Sequence, residues 1–281
     1  MALDYDRLMA MPQLEVTNEV AARDVMLYAL GVGARELDFV YEENLQVLPT
    51  MAAVIAYPGF FAKRPEYGLT WQKLLHGEQS ITIHRPIPSE GVFEASTRIE
   101  EIYDKGADKG ALMLVTRTIY EVGNDEPVAT VRATNFLRAD GGFGDRGQGV
   151  PPVAHAVPVH RPPDETVRLE THEDQALIYR LSGDYNPLHI DPKVAQAGGF
   201  EQPILHGLCT YGVVGRALLQ ALCGNDPARF HRMDVRFSSP VYPGEAIITE
   251  IWREEPGRSA FRARVERRDQ LVITNGYLEY T

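Results

Sequence analysis

The strongest constraint on the fold of this chain is an internal repeat, in which three short motifs occur twice in the same order. Each motif occurs once in each half, at 28–33 and 179–184, at 74–77 and 204–207, and at 85–88 and 240–243. The first motif ends a helical pattern in both halves, and the second contains a His-Gly pair. Repetition in a fixed order indicates two copies of one structural unit.

The two copies differ in the length between their second and third motifs. This segment is much longer in the second half, and its additional residues predict a helix over 208–222 that is apolar or small on most faces. A helix of that kind is buried. We therefore predict a sheet wrapped around a central helix in the second half. The first half has lost the equivalent helix, which would leave a cavity instead of a second packed core.

Segments in which apolar and polar residues alternate follow the repeat motifs in both halves, and they predict half-buried antiparallel strands. Residues 141–166, rich in glycine and proline, predict a surface linker between the halves. We therefore expect an α+β fold with domains at 1–140 and 167–281. The predicted strands are 92–95 and onward, 111–121, 127–138, 235–240, 246–253, 260–267 and 271–280.

Composition and charge limit the class of function. The chain has 28 Lys and Arg against 39 Asp and Glu, and its net charge of −11 argues against general binding to nucleic acid or an anionic membrane. Its apolar stretches are far shorter than a bilayer requires. The N-terminus lacks the pattern of a secretory signal, and the C-terminus lacks a peroxisomal tripeptide. The expected location is the cytoplasm.

One loop of the second half carries a candidate acid/base pair, Asp184 and His189. Pro187 prevents a regular helix there and biases Asn186 toward an extended conformation, so a stiff, irregular backbone presents both side chains. A carboxylate and an imidazole that contact the same water can supply a base and an acid, each worth about 10²–10⁴ in rate.

A second feature lies close by in the sequence, where Gly207 begins the long predicted helix. Backbone N–H groups at a helix N-terminus favour negative charge, and glycine lets a ligand approach the main chain. An oxyanion site is therefore predicted beside the acid/base pair. Loss of one such donor typically costs about 10²–10³ in rate.

Spacing alone leaves alternatives open. An Asp and a His this far apart are often unrelated, and a His-Gly pair before a helix is often only a cap. A metal site built on His189, Asp191 and His206 is a further alternative, although its spacing matches no standard pattern. Composition and spacing therefore reach only an acid/base site of unspecified reaction.

The segment 179–192 resembles the hydratase 2 motif of the MaoC-like (R)-specific 2-enoyl-CoA hydratases. The resemblance covers nearly the whole chain and is strongest to the hydratase domain of the peroxisomal multifunctional enzymes of type 2. It extends through matching segments in both halves: 75–79, 103–106, 141–144, 203–210 and 237–244.

The resemblance implies a double hot-dog fold, in which only the second unit keeps the catalytic loop and the first accommodates the acyl-CoA. Asp184 and His189 would then orient and activate the water that converts a trans-2-enoyl-CoA to a (3R)-3-hydroxyacyl-CoA, a reaction of fatty acyl metabolism and β-oxidation. The family implies no metal or other cofactor, acyl-CoA as the substrate partner, and a homodimer.

The resemblance also implies a set of substrate-binding residues. For Lys105, a contact to the phosphates of coenzyme A competes with a solvated position in a turn. For His76 and Phe237, simple packing is an equal alternative to substrate contact. The full set is His76, Gly77, Lys105, Tyr185, Asn186, Pro187, Leu188, Gly207 and Phe237.

Three rival functions remain on sequence grounds. Hot-dog proteins often hydrolyse acyl-CoA, so a thioesterase is one rival, against which the complete hydratase loop argues. A dehydratase of 3-hydroxyacyl chains on acyl-carrier protein keeps the chemistry and changes the carrier. A non-catalytic partner subunit or acyl-binding module is the third, and the presence of both Asp184 and His189 argues against it.

Overall fold

The computed structural model describes residues 3–281, and its ten strands form one antiparallel sheet. The α+β class expected from the sequence is therefore confirmed, although the two expected sheets are continuous with each other. The strands are β1 Leu14–Val20, β2 Leu74–Ile83, β3 Gly91–Asp104, β4 Ala111–Glu121, β5 Pro127–Leu137, β6 Glu165–Glu170, β7 Phe230–Phe237, β8 Ala246–Glu255, β9 Arg258–Val265 and β10 Gln270–Tyr280.

The order of strands repeats on the two sides of a central pair, β2 and β7. The sheet runs β1-β3-β4-β5-β2-β7-β10-β9-β8-β6, so that β5, β4, β3 and β1 on one side correspond to β10, β9, β8 and β6 on the other. The β2–β7 seam, from Glu78 opposite Arg236 to Thr82 opposite Arg232, joins the two halves. This symmetry is the structural form of the sequence repeat.

Within the part of the chain that the structure describes, six α-helices and several short 3-10 turns accompany the sheet. No helix among residues 3–281 is long and apolar enough to cross a membrane. The 3-10 turns lie at Pro49–Ala53, Phe61–Lys63, Pro65–Tyr67, Trp71–Lys73, Arg180–Ser182, Pro187–His189 and Pro227–Arg229. The helices are α1 Tyr5–Met9, α2 Ala22–Gly31, α3 Leu37–Val40, α4 Gln175–Tyr179, α5 Pro192–Ala197 and α6 Gly207–Cys223.

Helix α6 is the buried central helix that the sequence predicts. Residues on almost every face of it are buried, and it belongs to a core that includes strands of both halves. Gly212 and Gly215 face Val32 and Thr50, where a Cβ atom would collide with those side chains. Glycine at these two positions lets first-half segments pack directly against the second-half helix.

The first half has no counterpart of α6. Strand β2 begins at Leu74, at the motif that in the second half leads into α6. A cavity of about 1440 Å³ lies along the first-half strands and reaches the loops of the second half. The cavity predicted from the shortened first-half segment is therefore present.

Several boundaries differ from the sequence prediction. Strands β1, β2 and β6 are additional to those predicted, and the helix predicted from about Glu19 begins at Ala22 because β1 occupies the preceding residues. The strand predicted at 235–240 lies at Phe230–Phe237. The division into 1–140, a linker at 141–166, and 167–281 remains a prediction.

Candidate active site

The loop that carries Asp184 is held by hydrogen bonds within itself. Gly183 adopts φ 124°, a conformation that favours glycine, and turns the chain out of the preceding 3-10 turn. Oδ1 of Asp184 accepts from the Asn186 amide at 3.1 Å, and Oδ1 of Asn186 accepts from the Leu188 amide at 3.2 Å. With Pro187 beginning the next 3-10 turn, this pattern fixes the loop locally.

His189 is oriented by one hydrogen bond to the main chain. Its Nδ1 lies 2.8 Å from the carbonyl oxygen of Ile204, which can only accept, so Nδ1 carries the proton. Burial lowers the pKa of the imidazole, which therefore stays neutral near pH 7. Nε2 is left with a lone pair, as a proton acceptor requires.

His206 supports the pair from behind. Its ring stacks on that of His189, with centroids 3.7 Å apart and planes 26° apart. Its Nε2–H donates to the main-chain oxygen of Asp184 at 3.1 Å. Burial and the neighbouring His189 lower the pKa of His206 to about 4, so it is neutral at pH 7. His206 thus contacts both members of the candidate dyad.

The metal alternative considered from the sequence is wrong in its choice of residues. Asp191 instead accepts from the Lys193 amide at 2.8 Å and begins α5. Asp184, His189 and His206 do offer ligand atoms within 4.8 Å of one another. Of their ring nitrogens, Nδ1 of His189 and Nε2 of His206 already donate to main-chain oxygens, of Ile204 and Asp184.

Gly207, the first residue of α6, presents an unpaired amide beside the dyad. Its N–H donates to no group among residues 3–281, as expected for the first turn of a helix. A Cβ atom on Gly207 would lie 3.7 Å from the ring of Phe237, an ordinary contact. Gly207 is also one of the residues that line the cavity.

Two residues of β2, His76 and Gly77, belong to the first half and line the same cavity as Gly207. His76 packs its ring edge-on against that of Phe237, with ring centroids 5.1 Å apart, and its Nε2–H donates to the main-chain oxygen of Glu78 at 3.1 Å. Burial lowers the pKa of His76. Gly77 forms a β-bulge opposite β5, where a Cβ atom would lie 3.2 Å from the main-chain oxygen of Thr134.

All eleven residues selected from the sequence line the same cavity. Lys105 is exposed in the turn between β3 and β4, and Tyr185 is also exposed, so both lie toward its opening. Their contact with a ligand remains a prediction. The residues are His76, Gly77, Lys105, Asp184, Tyr185, Asn186, Pro187, Leu188, His189, Gly207 and Phe237.

Two further residues of the cavity wall were missed from the sequence, Tyr57 and Arg117. Burial, with a contribution from Asp184, raises the pKa of Tyr57. The guanidinium of Arg117 lies 5.4 Å from the centre of the Tyr57 ring. Arg117 lies on the same face of β4 as Met113, Val115 and Ile119, which are buried. Alternation along the strand could therefore have placed Arg117 on the buried face of the sheet.

The geometry defines a class of protein: a double hot-dog protein with a carboxylate and an imidazole in the wall of one large cavity. A solved Mycobacterium tuberculosis protein described as a double hotdog fold superposes with a TM-score of 0.59 at 13% identity, over 98% of this chain and 97% of that one. Residues 19–139 match the MFE-2 hydratase 2 N-terminal domain, and residues 155–275 match the MaoC like domain.

Relatives of known name match nearly the whole chain. The 3-hydroxyacyl-thioester dehydratase Y of Mycobacterium tuberculosis is 43% identical, over 100% of this chain and 99% of its own length. The probable enoyl-CoA hydratase 2 of Dictyostelium discoideum is 40% identical, over 98% and 96%. The MaoC-like dehydratase structure from Phytophthora capsici has a TM-score of 0.88 and 38% identity, over 98% of both chains. The chain belongs to the MaoC-like hydratase 2 family.

Proposed function

We propose that this protein catalyses the reversible hydration of a trans-2-enoyl-CoA to a (3R)-3-hydroxyacyl-CoA, in fatty acyl metabolism. One observation carries the proposal. Asp184, His189 and Gly207 line one cavity, and Nε2 of His189 has a lone pair while the Gly207 amide makes no hydrogen bond among residues 3–281. The names of the full-length relatives support the same reaction class.

The dyad activates the water and transfers its proton. A water held between the Asp184 carboxylate and Nε2 of His189 gives a proton to the dyad as its oxygen bonds to C3 of the enoyl group. The dyad then returns a proton to C2, so that one water is added in total. Because burial keeps His189 neutral, its Nε2 can take part in accepting that proton.

Negative charge develops on the thioester oxygen as water adds, and the amide of Gly207 would stabilise that charge. The N-terminus of α6 carries partial positive charge, and the first amides of the helix have no acceptor within it. An N–H aimed at a developing oxyanion typically contributes about 10²–10³ in rate. The ring of Phe237 lies beside Gly207 and packs against His76, and we place the thioester next to this group.

The cavity and its rim are proposed to hold the acyl-CoA. Lys105 is the proposed contact to the phosphates of coenzyme A, which an acidic chain must attract locally. Tyr185, Asn186, Pro187 and Leu188 would line the entrance beside the dyad. The homodimer and the cytoplasmic location remain predictions, and light scattering of the purified chain tests the first of them.

The decisive experiment separates hydration from hydrolysis. The protein is incubated with crotonyl-CoA and with a longer enoyl-CoA, and enoyl absorbance and free thiol are followed together. We expect absorbance to fall without release of thiol, with the (3R) alcohol as product on chiral analysis. Thiol release at constant enoyl absorbance would instead identify a thioesterase, and faster turnover of the acyl-carrier-protein thioester would change the carrier.

A further inference from the structure

A row of buried polar groups crosses the cavity wall of the first half, apart from the dyad. Arg117 on β4 lies directly opposite Thr97 on β3 in the strand register. Both residues line the cavity, yet their exposed fractions are only 5% and 4%. Two polar side chains are thus placed at one level of a cavity expected to hold an apolar acyl group.

Among residues 3–281, no carboxylate pairs with the charge of Arg117. Its Nη2 donates to the oxygens of Ala52 and Ala53, at 3.0 and 2.6 Å, and its Nε is buried without an acceptor. Tyr57, over which the guanidinium lies, is the only titratable neighbour among residues 3–281 that shifts its pKa. A buried cation without a counter-charge is costly, and a ligand anion would offset that cost.

Thr97, opposite Arg117, also lacks a hydrogen-bond partner in the described structure. Its Oγ1 is buried and makes no hydrogen bond in the described structure. Buried hydroxyls normally have a partner, so each such group calls for an explanation. Because Thr97 Oγ1 and Arg117 Nε are both enclosed, an acceptor oxygen arriving from the cavity would reach the guanidinium at Nη1, and would meet the Thr97 hydroxyl once that side chain rotates toward the cavity.

The strand register gives the place of this row relative to His76, beside which we place the thioester. His76 lies opposite Asn135, and Asn135 lies opposite Met113 on β4. Arg117 is four residues further along β4, roughly 13 Å at about 3.3 Å per residue. Lys105 lies beyond the other end of β4, in the turn that precedes Ala111. The polar row is therefore on the far side of the thioester position from the proposed coenzyme A contact.

We propose that Arg117 and Thr97 select enoyl-CoA substrates whose acyl chain carries an oxygen at its distal end, a carboxylate above all. The assignment rests on the proposed hydration and names its substrate class. A carboxylate can form charge-assisted hydrogen bonds to the guanidinium. A plain alkyl end would leave both donors buried and unsatisfied.

The test compares decenoyl-CoA with its ω-carboxy counterpart through the ratio of their kcat/KM values. In the wild type the ratio favours the ω-carboxy substrate, and an ω-hydroxy substrate falls between them. Arg117→Met lowers the ratio about 10- to 100-fold, as expected for hydrogen bonds to a charged group, and Thr97→Val lowers it about 3- to 10-fold. Arg117→Lys restores part of it.

The matched control is Arg132→Met. Arg132 belongs to the neighbouring strand β5, but its side chain is 54% exposed and pairs with Glu100 outside the cavity. It receives the same substitution and keeps the wild-type ratio. If Arg117 only holds the carbonyls of Ala52 and Ala53, Arg117→Met slows both substrates equally. An unchanged ratio, or a wild-type ratio that favours the alkyl chain, overturns the proposal.

A binding measurement separates this inference from the hydratase assignment. Saturated decanoyl-CoA and its ω-carboxy counterpart are compared by the rise in Tm that each produces. We expect the larger rise with the ω-carboxy ligand in the wild type, and equal rises in Arg117→Met. If Arg117→Met does not fold, Thr97→Val and the wild-type ratio decide. Discrimination in binding without any hydration would remove the proposed function and leave the selection intact.

Discussion

The two halves of the sheet share their strand order and differ in what lies between the strands. Helices α2 and α4 end in the same motif and pack against each other, with the rings of Tyr28 and Tyr179 6.0 Å apart. The motif then ends on Gly33 in the first half and on Asp184 in the second. The second copy of the unit thus carries the candidate acid/base pair, and the first copy contributes residues of the cavity wall.

The same comparison explains the cavity. The second half forms α6 from the glycine of its His-Gly pair onward, whereas in the first half the pair lies within β2, which continues through a bulge at Gly77. The residues that follow decide between the two, because alternation predominates after Gly77 and small or apolar residues on all sides predominate after Gly207. Loss of one helix gives the first half room that the second half fills.

The largest expected effect tests whether chemistry resides in the second half alone. Asp184→Asn and His189→Gln should each lower kcat/KM for hydration by about 10²–10⁴, because each removes a proton-transfer group. Circular dichroism and Tm should show an intact fold. Asp226→Asn is the control, since Asp226 caps an exposed turn outside the cavity and asparagine caps equally well. Near-wild-type turnover in either dyad variant would refute the assignment.

A second, smaller effect concerns the amide of Gly207. Proline is tolerated at the first position of a helix, and His206, with φ −58° and ψ 137°, already has the conformation that precedes proline. Gly207→Pro should therefore keep the fold but remove the N–H, and lower kcat by about 10²–10³. Gly207→Ala keeps the N–H and should cost much less. Equal losses in both variants would exclude a role for the amide.

Much of this arrangement was predictable from sequence, and the failures have physical causes. The repeat, α6 and the proline-containing loop were predicted because each has a strong local signal. Strands β1 and β6 were missed although their residues alternate in burial, so the local pattern does indicate them, whereas β2 was missed because its bulge interrupts alternation. The supporting contacts of His206 follow from ring stacking between residues distant in sequence, which no local pattern records.

The third prediction contrasts the open half with the filled half. Ala133 on β5 lines the cavity, whereas Ala263 on β9 is fully buried in the core. Ala133→Phe should fill space and lower kcat/KM for long enoyl-CoA about 10- to 200-fold relative to crotonyl-CoA. Ala263→Phe has no such space and should lower the free energy of unfolding by about 1–3 kcal/mol. Equal destabilisation of both variants would contradict an open first half.

The smallest effect is a pH dependence of stability. The folded-state pKa of His206, about 4, lies below its ordinary 6.5, so the unfolded chain binds more protons between these values. The free energy of unfolding should therefore fall as pH decreases through this window, and His206 should contribute no pH dependence above it. His206→Gln should flatten the profile of Tm against pH, whereas His160→Gln, in the exposed linker, should not. Parallel profiles for His206→Gln and the wild type would contradict the burial of a neutral imidazole.

The β2–β7 seam has a consequence for any attempt to separate the two units. Cut apart, each would expose a bare edge strand, which invites pairing with another copy and aggregation. On one polypeptide the two edges meet at the high effective concentration that tethering provides. The cavity of the first half and the loop that carries Asp184 and His189 therefore stay together however dilute the protein becomes.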